Sequence, residues 1–119
     1  MKILFDHNLP RRFRRLLPVH EIATTREMGW ETLENGALLK AAADEGFQAF
    51  VSIDKKIAHE QNLMTLPLPV IVIDAPSNTL PVLAPFAPFL IELLKSPLER
   101  VLLIIEPTGS VRRPTAPRQ

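Results

Sequence analysis

Asp6, Asp54 and Asp74 each follow a short apolar run: Ile3 to Phe5, Phe50 to Ile53 and Val70 to Ile73. If these runs are parallel strands of one sheet, all three carboxylates project at a shared edge. In open α/β sheets that carboxyl-terminal edge is where ligands bind. Neighbouring strands lie about 4.8 Å apart, so carboxylates ending two of them can share one hard cation. Mg²⁺ or Mn²⁺ suits such a site, because both take oxygen ligands completed by water and phosphate. A cation held there activates water and polarises a phosphodiester. The competing use of an Asp after a strand is local, as a helix cap or the start of a turn. Asp74, followed by Ala75-Pro76-Ser77, suits that local use better than Asp6 or Asp54.

The elements that must position these acids can be read from periodicity. After the first run, Asn8 can cap a helix with Pro10 in its first turn and Leu9, Phe13, Leu16 and Leu17 along one face. Arg11, Arg12, Arg14 and Arg15 fall on its other faces, and Pro18 closes it before a second strand over His20 to Ala23. The stretch from Thr24 to Asn35 has no clear period and reads as a loop around Gly29 and Trp30. Leu38, Leu39 and the alanines from Ala41 to Ala43 favour a helix from Glu34 or Asn35 to Glu45, stopped by Gly46. A third strand ends at Asp54 and a short helix follows it toward Leu63. The fourth strand is Val70 to Ile73. Pro81, Pro85 and Pro88 delay the last helix to Pro85 or later, and Val101 to Ile105 gives a fifth strand. The expectation is a single-domain α/β fold, with a mostly parallel sheet of four to five strands and helices on both faces. It spans residues 1–107, and 108–119 read as a flexible basic C-terminal tail.

Composition narrows the chemistry. With 46% hydrophobic and 23% charged residues the chain is that of an ordinary globular domain, and its formal charge of +1 gives no global steer. It has no cysteine, so disulfides and thiolate metal sites are excluded and a metal would be held by oxygen or imidazole. The opening apolar run is cut at Asp6, too short for a secretory signal or a membrane span, so a cytoplasmic location with no membrane contact is expected.

Three blocks carry a resemblance: Ile3-Leu-Phe-Asp6-His-Asn8-Leu-Pro10, Glu34-Asn-Gly-Ala-Leu-Leu39 and Phe50-Val-Ser-Ile-Asp54-Lys-Lys. In order and spacing, from Met1 to about Asp74, they resemble a short prokaryotic branch of the PIN-like domain family. The resemblance implies a metal-dependent nuclease fold acting on RNA, of which many members are toxins of toxin–antitoxin pairs. Asp6 then matches the acid ending the first strand. Asp54 matches the acid of a strand reading Val-Thr-x-Asp, with Ser52 in place of threonine. Where the family places an acid at the start of the long helix, this chain has Asn35-Gly36-Ala37, leaving Glu34 as the nearest carboxylate. His7 stands where a further acid is usual.

Two functions follow as expectations. One is a Mg²⁺- or Mn²⁺-dependent ribonuclease with Asp6, Asp54 and Glu34 as catalytic and metal-binding residues, Asn8, Arg11, Ser52 and Lys55 as substrate contacts, and an antitoxin protein as partner. The other is a catalytically silent PIN-like module that binds a protein or nucleic acid, motivated by the missing acid near Asn35. A phospho-receiver fits less well, since it needs paired acids after strand one and a lysine after strand five, where Glu106-Pro107 stands. The polar residues His59, Gln61 and Asn62 follow Asp54 closely enough to reach the same cleft. Lys56 is a further surface cation, His20 a strand-edge residue, and Trp30 a loop anchor or a base-stacking platform. Arg112, Arg113 and Arg118 extend the basic character into the tail, and the apolar face of the last helix suits a homodimer.

Overall fold

Within each strand, alternate residues go to opposite faces of the sheet, as the two-residue repeat of a strand requires. Ile3 and Phe5 of the first strand join one core with Ala49, Val51, Ile71, Ile73 and Ile105. Leu4 joins the other with Phe50, Val70, Val72, Leu102 and Ile104. Strands buried on both sides need helices on both sides, and these are present. The computed structural model describes residues 1–114. Its strands are β1 (Lys2–Phe5), β2 (Glu21–Thr24), β3 (Ala49–Ser52), β4 (Val70–Ile73), β5 (Leu102–Ile105) and β6 (Val111–Arg112). They form one six-stranded sheet in the order β2-β1-β3-β4-β5-β6, parallel except for β6.

On the first face lie a 3₁₀ helix, Arg11–Leu16, and the C-terminal helical run. The 3₁₀ helix buries Phe13, whose ring stacks on Phe5 at 5.8 Å between centroids. On the second face, α1 (Asn35–Asp44) inserts Leu38, Leu39 and Ala42, and α2 (Ile57–Glu60) inserts Ile57 and Ala58. Gly46 ends α1 with φ of +88°, the left-handed conformation that glycine adopts without strain.

Several expectations need correcting. The sheet has six strands rather than four or five. The extra one, β6, lies inside the segment read as a flexible tail and pairs antiparallel with β5 through Ile104↔Arg112 and Ile105↔Val111. Arg118 lies outside the described residues. The first helix is 3₁₀ rather than α, with Pro10 just before it and Leu16 turned outward at 37% exposure. The last helix starts earlier than expected, as α3 (Leu80–Leu83), a 3₁₀ turn (Ala84–Phe86) and α4 (Ala87–Leu93) in succession. Pro81, Pro85 and Pro88 each sit in the first turn of one of these pieces, where a missing N–H costs nothing. Finally, β3 ends at Ser52, so Asp54 stands two residues beyond the strand rather than directly after it. No helix among the described residues is long and apolar enough to cross a membrane.

Candidate functional site

From β1 the chain crosses to β2 on one side, then returns to lay β3 on the other side of β1. The connections therefore diverge at the β1–β3 seam, which opens a crevice at the carboxyl ends of these strands. Asp6 sits there, 2% exposed, with its N–H continuing the ladder to the Val51 carbonyl at 2.9 Å. A buried carboxylate requires donors, and Asp6 has several. Its Oδ2 accepts from Ser52 Oγ at 2.7 Å and from Asn8 Nδ2 at 3.4 Å. Its Oδ1 accepts from the His7 N–H at 2.8 Å and lies 2.9 Å from His7 Nδ1.

Ser52 is fully buried and joins the two acids. While donating to Asp6, its oxygen accepts from Asn8 Nδ2 at 3.1 Å and from the Asp54 N–H at 3.0 Å. Asn8 was expected to cap a helix. Instead it spans the crevice, donating to Asp6 and Ser52 while its Oδ1 accepts from the Ile53 N–H at 3.4 Å. Asp54 Oδ1 accepts from the Lys56 N–H at 3.0 Å, so part of its carboxylate serves the turn leading into α2. That is the local use foreseen for a strand-end acid.

Glu34 immediately precedes α1 and makes no side-chain cap, which leaves its exposed carboxylate uncommitted to the helix. It lines a depression of about 360 Å³ together with His7, Asn35, Gly36, Asp54, Glu60 and Gln61. Sequence reasoning missed Glu60. Its place at the end of a one-turn helix that starts just after Asp54 was the available signal. His59 and Asn62 do not line this depression. Trp30 is half-buried and meets Phe47 edge-on at 6.1 Å, so it acts as a loop anchor.

Lys55 and Arg11 do not line the depression that holds Asp54 and Glu34. The Lys55 ammonium pairs with Asp74, so these two neutralise each other at the β4 end of the edge. Arg11 belongs to a neighbouring depression of about 340 Å³ with His7, Leu9, Thr24, Arg26 and Glu27. Glu27 is organised there by a reciprocal pair of bonds: its N–H donates to Thr24 Oγ1 at 3.1 Å and its Oε1 accepts the Thr24 N–H at 3.0 Å. Arg14 adds a third contact at 2.8 Å. Burial pushes the Glu27 carboxyl up, and the bonds from Arg14 and Thr24 with the Arg14 charge outweigh it, leaving the group below its ordinary value.

The donors in the acidic depression suit a hard cation, being carboxylate oxygens with one imidazole. They are not drawn into a single cluster: among the described residues, no three His, Asp or Glu side chains come together as a ready metal site. Mg²⁺ needs less than that, since it commonly keeps several waters and takes one or two carboxylates plus substrate phosphates. No family model, curated protein or solved structure matches the chain.

Proposed function

We propose that the chain is a divalent-metal-dependent ribonuclease of PIN-like type, acting in the cytoplasm. The observation that carries this reading is the junction of Asp6, Ser52 and Asp54 at the switch point of a parallel sheet, beside a depression lined by Glu34 and Glu60. In this reading Asp54 and Glu34 hold Mg²⁺ or Mn²⁺ with Asp6 behind them. When bound, the cation supplies Lewis-acid polarisation of a phosphodiester and a water of lowered pKa. Asn8 and Ser52 fix the Asp6 carboxylate, and His7 covers it from the solvent side with its ring 69% exposed. An imidazole so placed is suited to exchange a proton with an attacking water or a leaving oxygen. The resemblance to toxins of toxin–antitoxin pairs extends the proposal to an inhibitory partner protein.

A second reading draws on a specific observation. Asp6 has its oxygens engaged by His7, Asn8 and Ser52, and Asp54 Oδ1 is engaged by Lys56, so the acids can serve the fold alone. The chain would then be a silent module that binds a partner. Mn²⁺ calorimetry and RNA cleavage, measured on the wild type and on Asp54→Asn, separate the two. Metal binding and cleavage that both disappear in the variant support the nuclease. Cleavage that survives Asp54→Asn, or a wild type that neither binds Mn²⁺ nor cleaves RNA with Mn²⁺ present, overturns it.

A further inference from the structure

The 3₁₀ helix Arg11–Leu16 repeats every three residues, so side chains three apart stack in columns. Arg11 stands over Arg14, and Arg12 over Arg15. Only Arg14 is neutralised, by Glu27 at 2.8 Å. Among the described residues no carboxylate lies within 4.0 Å of Arg11, Arg12 or Arg15, and all three are exposed. In a chain of net charge +1, three unpaired cations on one short helix are a strong local concentration of charge.

Shared lining residues relate this surface to the acidic depression. The arginines line a hollow of about 460 Å³. Arg11 is shared with the next hollow, which adds His7, Arg26 paired with Glu31, and Glu27 already held by Arg14. His7 in turn is shared with the depression that holds Asp54 and Glu34. A polyanion seated on the arginines is thereby led past His7 to the acids.

We propose that Arg11, Arg12 and Arg15 form a docking track for single-stranded RNA that delivers its backbone to the Asp54 depression. The proposal rests on reading that depression as an RNA-cleaving site. Guanidinium groups match phosphate oxygens in geometry and charge. The helix is roughly 12 Å long, six residues at about 2 Å each, enough for a few phosphates of one strand. An acidic protein surface is the less suitable occupant, because its carboxylates would be carried on toward Glu34, Asp54 and Glu60, whereas a phosphodiester can share a cation with them.

The test is fluorescence anisotropy of a labelled uridine oligonucleotide, about 20 nucleotides long, in EDTA so that binding is read without cleavage. Three phosphate contacts at about 0.7 each give a slope of log K against log salt near −2, or roughly 20-fold weaker binding between 50 and 200 mM salt. Replacing Arg11, Arg12 and Arg15 together by Gln is expected to weaken binding at 50 mM salt by at least about tenfold and to flatten the slope. Replacing them by Lys keeps the charge and should keep most of the slope, with the thermal midpoint confirming the fold of each variant. Unaltered binding by the Gln variant, or no RNA binding by the wild type, overturns the track. Arginine-dependent capture of a polyglutamate peptide in preference to RNA overturns it in favour of an acidic protein partner. Asp54→Asn should still bind RNA in EDTA. If instead it still cleaves RNA with Mn²⁺ present, the cleavage reading fails while the track stands or falls on anisotropy alone.

Discussion

Ser52 Oγ donates to Asp6 Oδ2 at 2.7 Å across the β1–β3 seam, between residues 46 apart in the chain. The same oxygen receives the Asp54 N–H and an Asn8 amide hydrogen, so one buried hydroxyl holds three polar partners in place. Ser52→Ala would leave a carboxylate oxygen and a backbone N–H short of a partner. A loss of about 1–3 kcal/mol is expected, read from urea unfolding at pH 7. Ser52→Thr retains the hydroxyl and should lose less. Equal stability of the alanine variant would show that the seam does not depend on this bond.

Gly36, in the first turn of α1, faces the acidic depression and leaves space for a side chain. A β-carbon there meets only Gln61 Oε1, at 3.7 Å. Gly36→Asp supplies a carboxylate where the first turn has none. A negative charge at a helix N-terminus contributes about 0.3–1 kcal/mol, and exchanging a helical glycine for aspartate adds only about 0.3 kcal/mol of propensity. The variant is expected to melt higher and to bind Mn²⁺ more tightly by calorimetry. A higher melting point without any gain in Mn²⁺ affinity would move the metal site elsewhere.

Acid should act on this fold in two separate windows. His20 is held below its ordinary value of 6.5 by burial, and its Nδ1 is buried without a partner. As pH falls through about 6.5 the unfolded chain takes up this proton first, so stability declines below that value and is retained above it. Glu27 is held below its ordinary 4.5, so its contribution is present above that pH and is lost as pH falls through the folded value. His20→Gln should remove part of the decline near pH 6. Glu27→Gln should lower the melting point at pH 7, by the equivalent of less than about 1 kcal/mol given its partial exposure, and converge with the wild type in strong acid. Parallel pH profiles for all three proteins would contradict both assignments.

Gly109 turns the chain between β5 and β6 with φ of +92°, and a β-carbon there would lie 2.7 Å from Phe89 Cε1. Gly109→Ala meets a backbone penalty of about 1–2 kcal/mol and must also displace the Phe89 ring, which packs edge-on against Phe86. A clear fall in thermal midpoint is expected. An unchanged midpoint would mean that the hairpin contributes nothing to the helix beneath it.

The parallel core of this fold was legible because its strands are buried on both faces. Val70–Ile73 is uninterrupted β-branched sequence, and its ends in the structure coincide with those read from the residues. Asp6 was legible as a strand-end acid for the same reason. β6 was not, because Val111 and Arg112 are exposed and pair through the backbone, leaving no apolar pattern to find. The role of Asn8 was hidden as well. A local helix cap and a tertiary bridge to Ser52 call for the same short amide, and only the packing of β3 against β1 decides between them. Glu34 and Asp54 reach one depression because α1 and the loop after β3 meet at the same sheet edge, a coincidence of tertiary structure that spacing does not encode.

The position of β1 between β2 and β3 has a consequence for how the molecule comes into being. Its two neighbours, β2 and β3, are both made after it, and parallel pairing at such separation closes long loops before any contact repays the entropy. On the ribosome Asp6 emerges first, with no donor from Ser52 until the chain has grown through β3. A nascent or truncated chain lacking β3 therefore has no assembled acidic centre. If that centre cuts RNA, the cell makes it harmless by default and arms it only when the sheet is registered.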